Sequence, residues 1–292
     1  MSPSERDVHL ADGRTLRVLE DGDPRGRPIF FLNGTPGSRL LYDKQVQDAR
    51  RQGIRLIAHD RPGYGGSTPK PGRRVSDGAT DVASIADALR LDRFAVYGIS
   101  GGGPHTLACG TLPPHRTVAV ASLAAPAPYP AEGLDWFQGQ GKENVAEFSA
   151  ALKGKAELEQ FLEPQRAVLL SATPEEVSGW LGSLLSPVDS KALAGDLASH
   201  FVLDLREALR AGIMGWRDDD LAFVRPWGFE LSDIKVPTQL WQGAQDRMVP
   251  FAHGEWLATR LPEADIHLEP EEGHISLFDR CHSVHEWLAS HF

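Results

Sequence analysis

Cysteine is scarce in this chain. Only Cys109 and Cys281 occur among 292 residues, and neither belongs to a C-x-x-C pair or to a Cys/His metal spacing. A disulfide framework and a zinc site are therefore disfavoured, and both thiols are expected to be reduced in a cytoplasmic protein. Long apolar runs are missing too. No stretch reaches the roughly 18 residues that a membrane-crossing helix needs, and the start, MSPSERDVHL, is polar where a secretion signal would be apolar. There is no internal repeat and no low-complexity tract, so solenoids and disordered tails are not indicated. A basic excess is also lacking: the formal net charge is −10, and residues 101–292 hold 14 Lys/Arg against 27 Asp/Glu. Nucleic acid is an unfavourable partner for such a surface, and a small molecule is the expected one. What remains is a globular chain, 41% hydrophobic, with enough apolar residues for one large core or for one domain carrying an insertion.

Short apolar runs alternate with helical patterns. PIFFLNG (28–34), IRLIAHD (54–60), RFAVYGIS (93–100) and TVAVASLA (117–124) are apolar on both faces, as strands of a parallel sheet covered by helices on both sides must be. Between the second and third lie Val82, Ile85, Ala86 and Leu89 at helical spacing, behind a Ser76/Asp77 start signal. Strand, helix, strand in this order implies right-handed crossovers. The first thirty residues alternate more strictly around an ADGR turn and predict an antiparallel hairpin at the sheet edge. From Ala127 to Met214 the text holds no buried strand, only helical stretches, which predicts a helical insertion at 127–214 between core segments 1–126 and 215–292. Strands resume at TQLWQG (238–243) and ADIHLEP (264–270), and Leu277, Cys281, Val284 and Leu288 form the stripe of a last helix.

The stretch YGISGGGPH (97–105) places one serine among four glycines between a strand and a helix. The chain must reverse there within about two residues, which predicts a strained backbone at Ser100, at positive φ. Gly98 and Gly102 remove the Cβ atoms that would collide as strand and helix approach, and Pro104 suits a first helical turn. The serine Oγ is thereby presented above the strand ends, beside a helix N-terminus that favours developing negative charge. That is a position for a nucleophile.

GISGG, together with NGTPGSR, HDRPGYGGS, GAQDRMVP and EEGH in this order, resembles the α/β-hydrolase family over nearly the whole chain. The resemblance implies a nucleophile elbow, a Ser, Asp/Glu, His chain order and a helical cap. A serine hydroxyl needs an oriented base. Of 11 histidines, His274 follows LEPEEG directly after the last predicted strand, at the edge where Ser100 emerges. His105 is expected to point away. Asp246 follows TQLWQGAQ, one βα unit before His274, whereas the preceding strand ends in ASLAAPAPY with no carboxylate. Asp246 would serve equally as a helix N-cap before VPFAHGEW.

An acyl-transfer site also needs donors for the tetrahedral oxyanion: the Gly101 N–H and, by resemblance, that of Thr35. Asn33 stands where the family usually has histidine, so the supporting hydrogen bonds must differ. Asp60 and Arg61 are expected to tie down the DRPGYGGS loop, and Trp136, Phe137, Trp180 and Trp216 are candidate acyl-pocket residues. The resulting expectation is a cytoplasmic serine esterase acting on a small to medium, rather apolar ester, with no metal or organic cofactor implied. A serine nucleophile argues against the dehalogenase and epoxide hydrolase branches. Three readings stay open beside the esterase. One is an aminopeptidase like proline iminopeptidase, with Glu143 or Glu147 holding an amine. The others are a cofactor-free perhydrolase or peroxidase, and a ligand sensor with a vestigial triad.

Overall fold

In the computed structural model, which describes residues 3–292, the period-two and period-3.6 patterns resolve into a mostly parallel sheet with helices on both faces. The hairpin is β1 (Ser4–His9) and β2 (Thr15–Gly22), antiparallel with Ser4 opposite Glu20 and His9 opposite Thr15. It turns at Gly13, whose φ of +85° only glycine adopts without strain. Next come β3 (Arg27–Leu32), α1 (Asp43–Arg51), β4 (Ile54–His59), α2 (Asp77–Ala88), β5 (Phe94–Ile99), α3 (Gly102–Cys109) and β6 (Thr117–Leu123). The sheet has eight strands in the order β1-β2-β4-β3-β5-β6-β7-β8, with β7 at Thr238–Gly243 and β8 at Asp265–Glu269. All pairings from β4 to β8 are parallel, and β2 joins β4 antiparallel.

Because successive side chains of a strand point to opposite faces, β3 and β5 each feed two cores. Phe30, Leu32 and Val96 pack with Val82 and Ile85 of α2 and Leu107 of α3. Ile29, Phe31 and Tyr97 pack on the other face with Ala49 of α1 and with Val284 and Leu288. The last two belong to α11 (Cys281–Ala289), while Leu257 of α10 (Phe251–Arg260) joins the first core. Leu277, read from sequence as part of the last helix, sits in a separate 3-10 turn at Ser276–Arg280 but keeps its buried place in the second core.

Between β6 and β7 the chain is helical, as its lack of strand patterns implied. The elements are α4 (Lys142–Lys153), α5 (Lys155–Ser171), α6 (Val177–Leu181), α7 (Pro187–Ala192), α8 (Gly195–Leu209) and α9 (Met214–Phe223). They bury their apolar stripes in two further clusters, one around Leu158, Leu162, Leu209 and Trp216, the other around Val177, Leu181 and Val202. Among the described residues no helix is long and apolar enough to cross a membrane.

Candidate active site

Ser100 lies between β5 and α3 with φ +55°, the strained conformation that its sequence context predicts. The turn is fixed on both sides: the Ser100 N–H donates to the Leu123 carbonyl (2.8 Å), and its own carbonyl accepts from Gly103 N–H (2.8 Å). The close approach is real. A Cβ at Gly98 would lie 2.5 Å from Thr106 Oγ1, and one at Gly102 would run into the Leu32 carbonyl.

His274, in the loop after β8, shares a cavity of about 510 Å³ with Ser100, Thr35 and Gly101. Its Nδ1 donates to Asp246 Oδ2 at 2.7 Å, and both residues are buried. Burial opposes a charged ring, yet the charge and hydrogen bond of Asp246, with Asp189 behind, hold the imidazole above the usual histidine range. Asp246 does not cap α10, whose N-cap residue is Pro250. Its Oδ1 instead accepts the N–H groups of Met248 and Val249 (both 2.8 Å), and its Oδ2 takes a bond from Gln242 (3.1 Å). The carboxylate thus faces His274 because the turn before the helix holds it there.

The loop after β3 is organised from three directions. Arg61 donates to the carbonyls of Asn33 and Gly34, and to Thr35 Oγ1. In a planar trans peptide the N–H opposes the C=O, so an anchored Gly34 carbonyl aims the Thr35 N–H away from Arg61. Asn33 Oδ1 accepts the Gly34 N–H (2.8 Å), while its amide nitrogen donates to Asp204 (2.9 Å) and to the Ser38 carbonyl (3.2 Å). An asparagine can make this pair of bonds because it carries an acceptor and a donor on one planar group. The N–H groups of Thr35 and Gly101 have no acceptor among the described residues. They are also neighbours, since any Cβ at Gly101 would meet Thr35 Oγ1. Two free donors beside a strained serine are the arrangement an oxyanion would use.

Asp60 and Arg61 act as the sequence suggested, by holding loops: Asp60 accepts from Arg39 N–H (2.7 Å) and Gly66 N–H (2.9 Å). Trp136, Trp180 and Trp216 line the cavity. Phe137 is outside that lining and packs edge-on against Trp136, with ring centroids 5.2 Å apart. His105 does point away, with Nδ1 on the Val75 carbonyl (3.1 Å). Among the described residues Asp48, Cys281 and His285 form one metal-capable cluster, behind the sheet. The His285 nitrogens are engaged there by Asp48 (2.8 Å) and Tyr97 (3.1 Å).

Sequence reasoning missed three carboxylates supplied by the helices between β6 and β7. Asp189 of α7 accepts the backbone N–H groups of His274 (3.0 Å), Ile275 (2.7 Å) and Ser276 (3.1 Å), and the Ser186 hydroxyl (2.8 Å). Asp219 of α9 takes Thr35 Oγ1, Tyr64 Oη and the guanidinium groups of Arg61 and Arg73. Burial alone would raise its pKa, but the two arginines hold it well below the usual carboxylate range. Asp204 of α8 binds Ser38 N–H (3.0 Å) and Asn33, and burial pushes its carboxyl up to about 7. The Ser-Pro start of α7 marks Asp189 as an N-terminal helix residue, but nothing local names its partners.

Residues 29–287 match the model of the alpha/beta hydrolase family. The chain belongs to that family. The AB hydrolase superfamily protein YisY of Bacillus subtilis is 26% identical over 94% of both chains. The bifunctional esterase/perhydrolase DCH of Acinetobacter calcoaceticus is 26% identical over 84% of this chain and 83% of its own. Among solved structures, the esterase EaEST from Exiguobacterium antarcticum superposes with a TM-score of 0.68 at 20% identity, covering 98% of each chain. At that identity the likeness speaks for the α/β-hydrolase fold alone.

Proposed function

We propose that this α/β-hydrolase is a serine hydrolase that cleaves a small to medium, rather apolar carboxylic ester through an acyl-enzyme. The observation that carries the reading is the buried His274–Asp246 bond opening onto the same cavity as a strained Ser100. With Nδ1–H committed to Asp246, His274 Nε2 is the free base. Ser100 Oγ attacks the ester carbonyl as its proton passes to His274 Nε2, and the oxyanion takes the N–H groups of Gly101 and Thr35. The tetrahedral adduct collapses, and His274 gives that proton to the leaving alcohol. Water, deprotonated by His274, then attacks the acyl-Ser100 ester, and as the acid leaves, His274 returns that proton to Ser100 Oγ. The division into a core of residues 1–126 and 215–292 under a cap of 127–214, and a cytoplasmic setting, belong to the same reading.

A second reading has one observation in its favour, the Acinetobacter relative, whose name joins esterase and perhydrolase. Hydrogen peroxide in place of water at the acyl-enzyme would give a peracid from the same residues.

The test is release of p-nitrophenol from acetate to decanoate esters, beside amino-acid p-nitroanilides, by wild type and Ser100→Ala. Ester turnover is expected to fall by about 10⁴-fold or more in the variant with its fold intact. A preference for anilides would move the assignment to an aminopeptidase. Wild-type turnover no greater than that of Ser100→Ala on any substrate would favour a ligand sensor.

A further inference from the structure

Three consecutive acids, Asp218, Asp219 and Asp220, lie on α9, and they differ in what they face. Asp218 is bonded to Arg217 (2.7 Å), and Asp219 to Arg61 and Arg73. Asp220 is fully buried, lines the cavity that holds Ser100, and receives no hydrogen bond from any N–H, hydroxyl or cation of the described residues, its one partner being another carboxyl, Glu147. Glu147 of α4 also accepts from Trp216 Nε1 (2.7 Å), and between the two carboxyls one shared proton makes the bond. Arg73, whose charge acts on Asp220, is committed elsewhere: Nη2 to Asp219 (2.7 Å) and to the Gly215 carbonyl (2.8 Å), and Nη1 to the Pro62 carbonyl (2.8 Å); Lys142, which also lines the cavity, is bonded to neither carboxyl. Glu143, the other acid that the sequence suggested for holding an amine, is instead bonded to Ser183.

Two adjacent buried carboxyls with no cation bonded to either burden the folded state, and burial raises both, Asp220 well above the usual carboxylate range, so that the pair holds a proton where a cation would serve better. An arrangement unfavourable to folding that opens into a cavity points to a ligand which relieves it. The remaining walls narrow the class of ligand. Phe148, Phe161, Trp180, Leu184 and Phe201 surround the cavity with apolar and aromatic surface, which suits an alkyl chain and the flank of an organic cation. A divalent metal is a poor fit, because no third His, Cys or carboxylate among the described residues groups with these two and the apolar wall does not suit the waters that such a cation keeps. An ammonium group brings three donors and the missing charge.

We propose that Asp220 and Glu147 form a subsite for an aliphatic ammonium group on a substrate whose carbonyl is attacked by Ser100. The proposal deepens the serine hydrolase reading and rests on it for the attack. It makes the substrate amphipathic, with an apolar chain ending in a protonated primary or secondary amine.

The experiment has a binding arm and a turnover arm, both on the full chain. Calorimetry on Ser100→Ala is expected to show n-butylammonium binding about tenfold or more tightly than 1-butanol. The preference is expected to be lost when Asp220→Asn or Glu147→Gln is added. In turnover, wild type is expected to favour p-nitrophenyl 6-aminohexanoate over p-nitrophenyl heptanoate in kcat/KM by about tenfold, with the ratio collapsing in Asp220→Asn. Equal binding of butylammonium and butanol, or a ratio unmoved in both carboxyl variants, would overturn the subsite. If Ser100→Ala kept full turnover while butylammonium still bound, the subsite would stand and the nucleophile assignment would fall.

Discussion

Asp189→Ala tests whether the helices between β6 and β7 hold the histidine in place. In the native chain one buried carboxylate accepts three backbone N–H groups, those of His274, Ile275 and Ser276, at 2.7–3.1 Å. Truncation orphans all three. A buried N–H left alone costs about 1–3 kcal/mol, and water entering the vacated space recovers part of that. The expected loss of stability is about 3–5 kcal/mol, read from urea midpoints. Asp189→Asn is milder. Its amide oxygen at the Oδ1 position still serves Ile275 and Ser276, while the amide nitrogen confronts the His274 N–H, for about 1–2 kcal/mol. Both variants should lower kcat/KM on the best ester, by about 10²-fold for alanine, since displacement of a base by about 1 Å costs that much. The pH profile separates positioning from mere loosening, because removing the Asp189 charge should lower the pKa of His274. An alanine variant with native midpoint, kcat/KM and pH profile would refute the argument.

Three more outcomes follow from the same geometry. Activity should rise with pH along a one-proton limb as His274 loses its proton, with a midpoint above the ordinary histidine value of about 6.5; the Asp246 charge raises it, so Asp246→Asn should shift that limb to lower pH as well as cut kcat. Asp219→Asn strands two buried guanidinium groups, Arg61 and Arg73, and should cost about 3–5 kcal/mol in denaturant titration. Asp220→Asn should do the opposite. A carboxyl whose pKa is raised by folding keeps its proton in the native state, so its contribution to stability falls as pH climbs from the unfolded value of about 3.9. The asparagine removes that decline and should stabilise by about 1–2 kcal/mol near neutral pH; thermal melts at pH 5 and pH 8 that shift equally would contradict it.

The sequence was legible wherever the signal was local. The strands after Arg27 are apolar runs, the turn at Ser100 is written in its glycines, and Asp246 and His274 each follow a strand end. Asn33 and Arg61 were legible only halfway: their loops stood out, but not the way a guanidinium orients one peptide plane and an amide another. The carboxylates were illegible for a plain reason. Asp189 meets His274 85 residues along the chain, Asp219 meets Arg61 158 away, and Asp204 meets Asn33 171 away. In sequence each is one acid among 40. The N-cap reading of Asp246 failed because its acceptors are engaged two and three residues on, before α10 begins.

Those three acids also bear on how such an enzyme is re-engineered. Exchanging the helices between β6 and β7 for those of a relative is the obvious route to a new substrate range, since they form most of the cavity wall. Here the same helices clamp the histidine loop through Asp189 and the loop after β3 through Asp204 and Asp219. A chimera that changes the wall without keeping these carboxylates in register would carry every reacting group and still misplace them. Selectivity and chemistry in this chain are inherited together.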